Sequence, residues 1–115
     1  TIKTPYTGIV YCINPDNDEI LESVILSKVA QQCINMKGIS ASFAIGKIDD
    51  NAVKISARSD GNINVQLICE QLGGGGHFTM AAAVIKTKSV DTVVQKLEDV
   101  LRIYLDDAKT KRNED

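Results

Sequence analysis

Gln71-Leu72-Gly73-Gly74-Gly75-Gly76-His77-Phe78-Thr79, QLGGGGHFT, runs four consecutive glycines into the one histidine of the chain. Each ordered glycine costs roughly 0.5–1 kcal/mol of extra backbone entropy relative to alanine, so such a run needs a compensating reason. A helix C′ residue with positive φ accounts for Gly73 and at most one neighbour. For the others, a backbone without Cβ atoms lets N–H groups converge on an anion and lets a ligand approach the main chain. The context decides between α/β folds. The run follows a helical pattern and precedes a strand pattern, the reverse of a dinucleotide fingerprint, and neither Gly-Lys-Ser nor Gly-Lys-Thr follows, so it is no nucleoside-triphosphate phosphate loop.

Upstream, Val65, Ile68, Cys69 and Leu72 predict a short amphipathic helix capped by Asn62 or Asn64, after a turn at Ser59-Asp60-Gly61-Asn62. Before that turn, Val53, Ile55 and Ala57 alternate with Lys54, Ser56 and Arg58, and Ile39, Ala41, Phe43 and Ile45 alternate with smaller residues. These are two strands joined at Asp49-Asp50-Asn51. Residues 8–13 predict a buried strand stopped by Asn14-Pro15-Asp16-Asn17-Asp18, and from Glu19 the stripe Leu21, Val24, Ile25, Val29 and Cys33 predicts a helix ended by Lys37-Gly38. Downstream, residues 81–87 read as a strand, and Ser89 caps a long helix with the stripe Val90, Val93, Val94, Leu97, Leu101, Tyr104 and Leu105. The polar tail 109–115 is expected to fray. The predicted order is β-α-β-β-α-β-α: an α/β fold with a mixed β-sheet flanked by helices, one domain over residues 1–115.

Composition narrows the partners. At 115 residues, 43% hydrophobic and 24% charged, the chain can bury a core without disulfide or metal staples. A net charge of −2 excludes a surface that coats nucleic acid but leaves room for a small anion held by local groups. Cys12, Cys33 and Cys69 read as reduced, buried thiols, with no zinc-ligand spacing. No apolar run reaches the ~20 residues of a membrane helix, so the expectation is a cytoplasmic domain without membrane contact. The start at Thr1-Ile2-Lys3 suggests a piece of a longer protein, whose anchor would lie elsewhere.

Near the glycines, His77 can donate a hydrogen bond to phosphate or lie against a base. Arg58 can clamp a phosphate in bidentate fashion, or else stand in solvent paired with Asp60 or Glu70. Ser56 and Ser59 flank it as candidate donors. Asp49-Asp50 and Asp106-Asp107 read as a solvated turn and helix end, so no metal site is expected.

Taken together, Ser56-Ala57-Arg58-Ser59, Ile63-Asn64-Val65 and Gly73-Gly74-Gly75-Gly76-His77 resemble the DHH-associated domain, type 1, over nearly the whole chain. That domain is the C-terminal half of DHH-family phosphoesterases, which include RecJ-type exonucleases, nanoRNases and cyclic-di-AMP phosphodiesterases. The four-glycine form and Ser59-x-Gly61-x-Ile63-Asn64-Val65-Gln66 look most like the GdpP type, which hydrolyses cyclic-di-AMP to linear pApA. The resemblance implies that a DHH domain of the same polypeptide holds two manganese ions. This domain would grip a cyclic dinucleotide or short oligonucleotide through Arg58, Ser56, Ser59, Gly73, Gly74, Gly75, Gly76 and His77.

No Asp-His-His motif is present, so the chain alone is expected to be inactive and to carry no cofactor. Ala81-Ala82-Ala83 stand where many relatives carry glycine, and a methyl group there would narrow the pocket floor. Two alternatives differ in kind. One is a non-enzymatic nucleotide- or RNA-binding module, since related domains accompany alanyl-tRNA synthetases. The other is a structural role in which the glycines are a hinge and the sheet is a homodimer surface.

Overall fold

Alternation along the strands sorts the side chains onto two faces, and the two faces receive different helices. The structure, a computed structural model, describes residues 1–16 and 19–114, with side chains to 109. The elements are β1 (Ile2–Tyr6), β2 (Ile9–Ile13), α1 (Ser23–Ile34), β3 (Ala41–Asp49), β4 (Ala52–Ser59), α2 (Val65–Gln71), β5 (Gly75–His77), β6 (Met80–Ile85) and α3 (Val90–Glu114). They build one six-stranded sheet in the order β1-β2-β3-β4-β6-β5. β2 and β3 are parallel and joined through α1, and the other neighbouring pairs are antiparallel.

Tyr11, Phe43, Ala57 and Ala81 are paired across four adjacent strands and share the face covered by α2 and α3. The Tyr11 and Phe43 rings meet edge to face at 5.8 Å. The predicted stripe of α3 lies against them, with Val90, Val93, Leu97 and Leu101 fully buried. Burial of each leucine contributes roughly 1.5–3 kcal/mol. On the opposite face α1 packs through Leu26 and Ala30 on Ala44, and the Ser42 hydroxyl donates to the Ala30 carbonyl at 2.7 Å.

The mixed α/β sheet agrees with the expectation, and the additions are two edge strands. β1 was not foreseen because every residue in it is exposed and none of its side chains alternates between core and solvent. The sequence pattern shows β5 only as a loop, because glycine carries no side chain from which a period can be read. α1 begins at Ser23 rather than Glu19. Asn64 is the cap of α2, its side-chain oxygen accepting from the Leu67 N–H at 3.1 Å. At α3, Ser89 Oγ accepts from the Thr92 N–H at 3.1 Å, and the Asp16 carboxylate accepts from the Val90 N–H at 3.0 Å. Asn17 and Asp18 of the expected turn, and Asp115 of the expected tail, lie outside the described residues. Among the described residues, no helix is long and apolar enough to cross a membrane.

Candidate functional site

The glycine run is the end of a helix fused to an edge strand. Gly73, with φ 85°, donates its N–H to the Glu70 carbonyl at 3.1 Å, and Gly74 donates to the Cys69 carbonyl at 2.8 Å. This double pattern is a Schellman cap, which needs a left-handed residue at C′. Beyond it the backbone runs against β6. A Cβ on Gly74 would strike the Ala82 carbonyl oxygen, and one on Gly76, whose φ is 146°, would stand 2.5 Å from the Met80 carbonyl oxygen. Three glycines therefore have reasons internal to the fold. The converging nest of N–H groups expected from sequence is not formed at Gly73 and Gly74, because their donors close the helix. Gly75 differs: open space surrounds the place of its Cβ.

Strand register shows where Gly75 faces. It pairs with Ala82, which pairs with Ser56, while His77 pairs with Met80, which pairs with Arg58. Directly paired residues share a face, so two rows, Ser56-Ala82-Gly75 and Arg58-Met80-His77, lie on the side of the sheet that carries α1. That helix packs on β2, β3 and β4, and beyond its edge Met80 and Val84 are 48% and 50% exposed. The open half of the sheet is a shelf with small residues in the middle row and His77 at the far side. Of the three alanines expected in the floor, Ala82 alone lies on it, since Ala81 and Ala83 are buried in the core.

The near wall of the shelf is a polar seam between α1 and β4. Lys54 Nζ donates to Ser23 Oγ at 2.5 Å, Ser27 Oγ and Ser56 Oγ lie 3.2 Å apart, and Arg58 Nε donates to Gln31 Oε1 at 3.2 Å. Four helical residues rise about 6 Å and two strand residues about 6.7 Å, so positions 23, 27 and 31 stay level with 54, 56 and 58. Arg58 also donates through Nη1 to the Ala57 carbonyl at 2.9 Å. The alternative pairing of Arg58 with Asp60 or Glu70 is not formed: among the described residues the ion pair is Arg102 with Asp99. Burial lowers the pKa of Arg58, and burial followed by the Arg58 charge lowers that of Lys54. Two cations that form no ion pair among the described residues thus stand on one strand face of a protein whose net charge is −2.

Not every expected residue is brought to this shelf. Ser59 alternates to the other face, and its hydroxyl accepts from the Gly61 N–H at 3.2 Å within the turn. Ser56 lies beneath the seam, 1% exposed and bonded to Ser27 of α1. Among the described residues, no group of three or more His, Cys, Asp or Glu could hold a metal ion, so the residues here do not fit the two manganese ions.

The DHHA1 domain profile matches residues 6–103, a span that contains both rows and the seam. The chain belongs to the DHHA1 domain family. Over 94 residues it is 40% identical to a protein named cyclic-di-AMP phosphodiesterase GdpP from Geobacillus thermodenitrificans, covering 82% of this chain and 14% of that protein. The protein of the same name from Bacillus subtilis is 38% identical over 93 residues, covering 80% of this chain and 14% of that protein. This DHHA1 domain thus spans about one seventh of these relatives. The solved structure of a pGpG-specific phosphodiesterase, PggH, from Vibrio cholerae superposes with a TM-score of 0.55 at 15% identity, over 88% of this chain and 35% of that one. That likeness is one of fold.

Lys54 and its helix partners in this DHHA1 domain escaped the reading from sequence. The signal was partly there, since alternation already set Lys54 on the face of Arg58. Ser23, Ser27 and Gln31 are spaced as one helical stripe, but nothing local says that this stripe meets that strand.

Proposed function

We propose that this DHHA1 domain is the substrate-gripping half of a manganese-dependent DHH-family phosphodiesterase. Its substrate is cyclic-di-AMP, cleaved to pApA, or a short oligonucleotide of the same chemistry. The observation that carries this reading is a half-buried Arg58 with no carboxylate partner among the described residues, in one cross-strand row with Met80 and His77 on the open part of the sheet. The identity to proteins named as cyclic-di-AMP phosphodiesterases supports it.

In this reading Arg58 holds a phosphate by charge-assisted hydrogen bonds, and His77 donates to the same group or lies against a base. Gly75 keeps the floor clear for the sugar, and the exposed Met80 and Val84 offer apolar surface to a base. The two manganese ions, held by a DHH domain, activate the attacking water. This chain positions the ester and catalyses nothing alone.

The test is a titration of the isotope-labelled chain with cyclic-di-AMP, pApA and inorganic phosphate, following amide shifts. Changes concentrated at residues 75–77 and around Arg58, lost in Arg58→Ala, are the expected result. Removing a charge-assisted contact weakens binding by about 10- to 100-fold. Shifts scattered over the surface, or none at millimolar ligand, would overturn the assignment. In the two-domain enzyme, Arg58→Ala and His77→Ala should lower turnover with manganese content unchanged.

A further inference from the structure

We infer that Lys54, seated between Ser23 and Ser27 of α1, is a second phosphate contact, so that the shelf selects ligands with two phosphoryl groups over ligands with one. The inference rests on the phosphate-binding reading of Arg58 and adds a residue and a selectivity to it.

Three features of the shelf lead there. Lys54 and Arg58 lie on the same face of β4 four residues apart, about 13 Å between Cα atoms at the usual strand rise. In the row between them, Ser56 lies under Ser27 of α1, and Ala82 and Gly75 beyond the helix edge carry at most a methyl group, so the floor is low on that side of the two cations. Val84 is the cross-strand partner of Lys54 and Met80 that of Arg58, and both are about half exposed, so each cation has an apolar platform beside it. The trough repeats the order of a dinucleotide: charge and apolar surface, a gap, charge and apolar surface.

The surroundings of Lys54 are those of a contact awaiting a partner. One of its hydrogen bonds is short, to Ser23 Oγ at 2.5 Å, and the others, to Ser27 Oγ at 3.4 Å and the Ser23 carbonyl at 3.5 Å, are at the limit of the interaction. An ammonium has three donors, so two can turn to a phosphate. Neutral hydroxyls orient the charge without cancelling it, and each can rotate to donate to the same oxygen. The position of this lysine is also energetically awkward without a ligand: partial burial and the neighbouring guanidinium both disfavour its charged form.

The experiment compares two ligands that differ by one phosphate. The chain is titrated with ApA, which carries only the internal phosphodiester, and with pApA, which adds a terminal phosphate. Wild type is expected to prefer pApA by about tenfold, the worth of one added charged contact. Lys54→Met should reduce that preference to about twofold or less while leaving ApA affinity nearly unchanged. Lys54→Arg should restore the preference. A preference that survives Lys54→Met, or a Lys54→Met loss equal for both ligands, overturns the second contact. If Arg58→Ala still abolishes binding in that case, the phosphate-binding reading stands without it. Failure of both ligands to bind wild type overturns both.

Discussion

Gly76 and Ala81 face each other across β5 and β6 with no room for a further carbon: a Cβ on Gly76 would stand 2.6 Å from the Ala81 Cα. Gly74 is closed in the same way by Ala83, whose Cα would be 2.6 Å off. Gly74→Ala and Gly76→Ala should each destabilise the fold by about 1–3 kcal/mol, through overpacking and, at Gly76, backbone strain. Gly75→Ala should change stability by less than about 1 kcal/mol and yet weaken nucleotide binding, because its methyl group would rise from the floor of the shelf. Urea unfolding and ligand titration on the three variants separate the roles. A Gly75→Ala variant as unstable as the other two would contradict the geometry.

Arg58 raises the cost of charging Lys54, so its removal should be felt there. In Arg58→Met the Lys54 pKa should move up toward the ordinary lysine value. It should not recover fully, since burial is the larger cause. A carbon-13 titration of the Lys54 side chain reads this directly. The same substitution should leave folding stability unchanged or slightly higher while ligand affinity falls, the usual trade of a strained binding site. A sharply lower unfolding midpoint would mean that Arg58 is there to hold α1 in place.

Asp60 closes the turn between β4 and α2. The backbone N–H of Asn62 is the chief reason its carboxyl titrates below the usual range, with the Asn62 side chain adding a smaller share. A depressed folded-state pKa means that the unfolded chain takes up the proton first. The contribution to stability is therefore complete above the ordinary carboxylate pKa and is lost as pH falls through the lower, folded value. Asp60→Asn should flatten that part of the acid limb. Asn62→Ala, which keeps the backbone donor, should raise the Asp60 pKa only in part.

The thiols should behave as interior groups. Burial pushes Cys69 up to about 12, and burial, followed by the hydrogen bond with Cys33, pushes Cys12 up to about 12. Little reactive thiolate of Cys12 or Cys69 exists near pH 8. A disulfide reagent should label the folded protein slowly and release all three thiols at once on unfolding. Fast labelling of Cys69 in the folded state would mean that the contact of α2 with the sheet opens readily.

Where side chains alternate against a core, reading and structure agree: β4 and the stripe of α3 lie where periodicity put them. Legibility ends where the determining interaction is distant or has no side chain. Gly74 and Gly76 are glycines because of β6 backbone that follows in the chain, and four identical letters cannot tell them from Gly75. The seam joins Ser23 to Lys54 across 31 residues. Its register depends on helix rise matching strand rise, a relation that no single segment contains. Ser59 adjoins Arg58 in sequence but not on the shelf, because alternation places neighbouring residues on opposite faces.

The two borders of the sheet have a consequence for how the protein behaves when crowded. One border, β1, contains Pro5, which has no N–H to offer, and a register shift between Lys3 and Tyr6. The other, β5, has three residues, two of them glycine. An incoming extended chain needs a flat, regular row of free donors and acceptors on which to grow, and neither border provides one. Folded copies should stay in solution at high concentration without recruiting each other edge to edge into fibres.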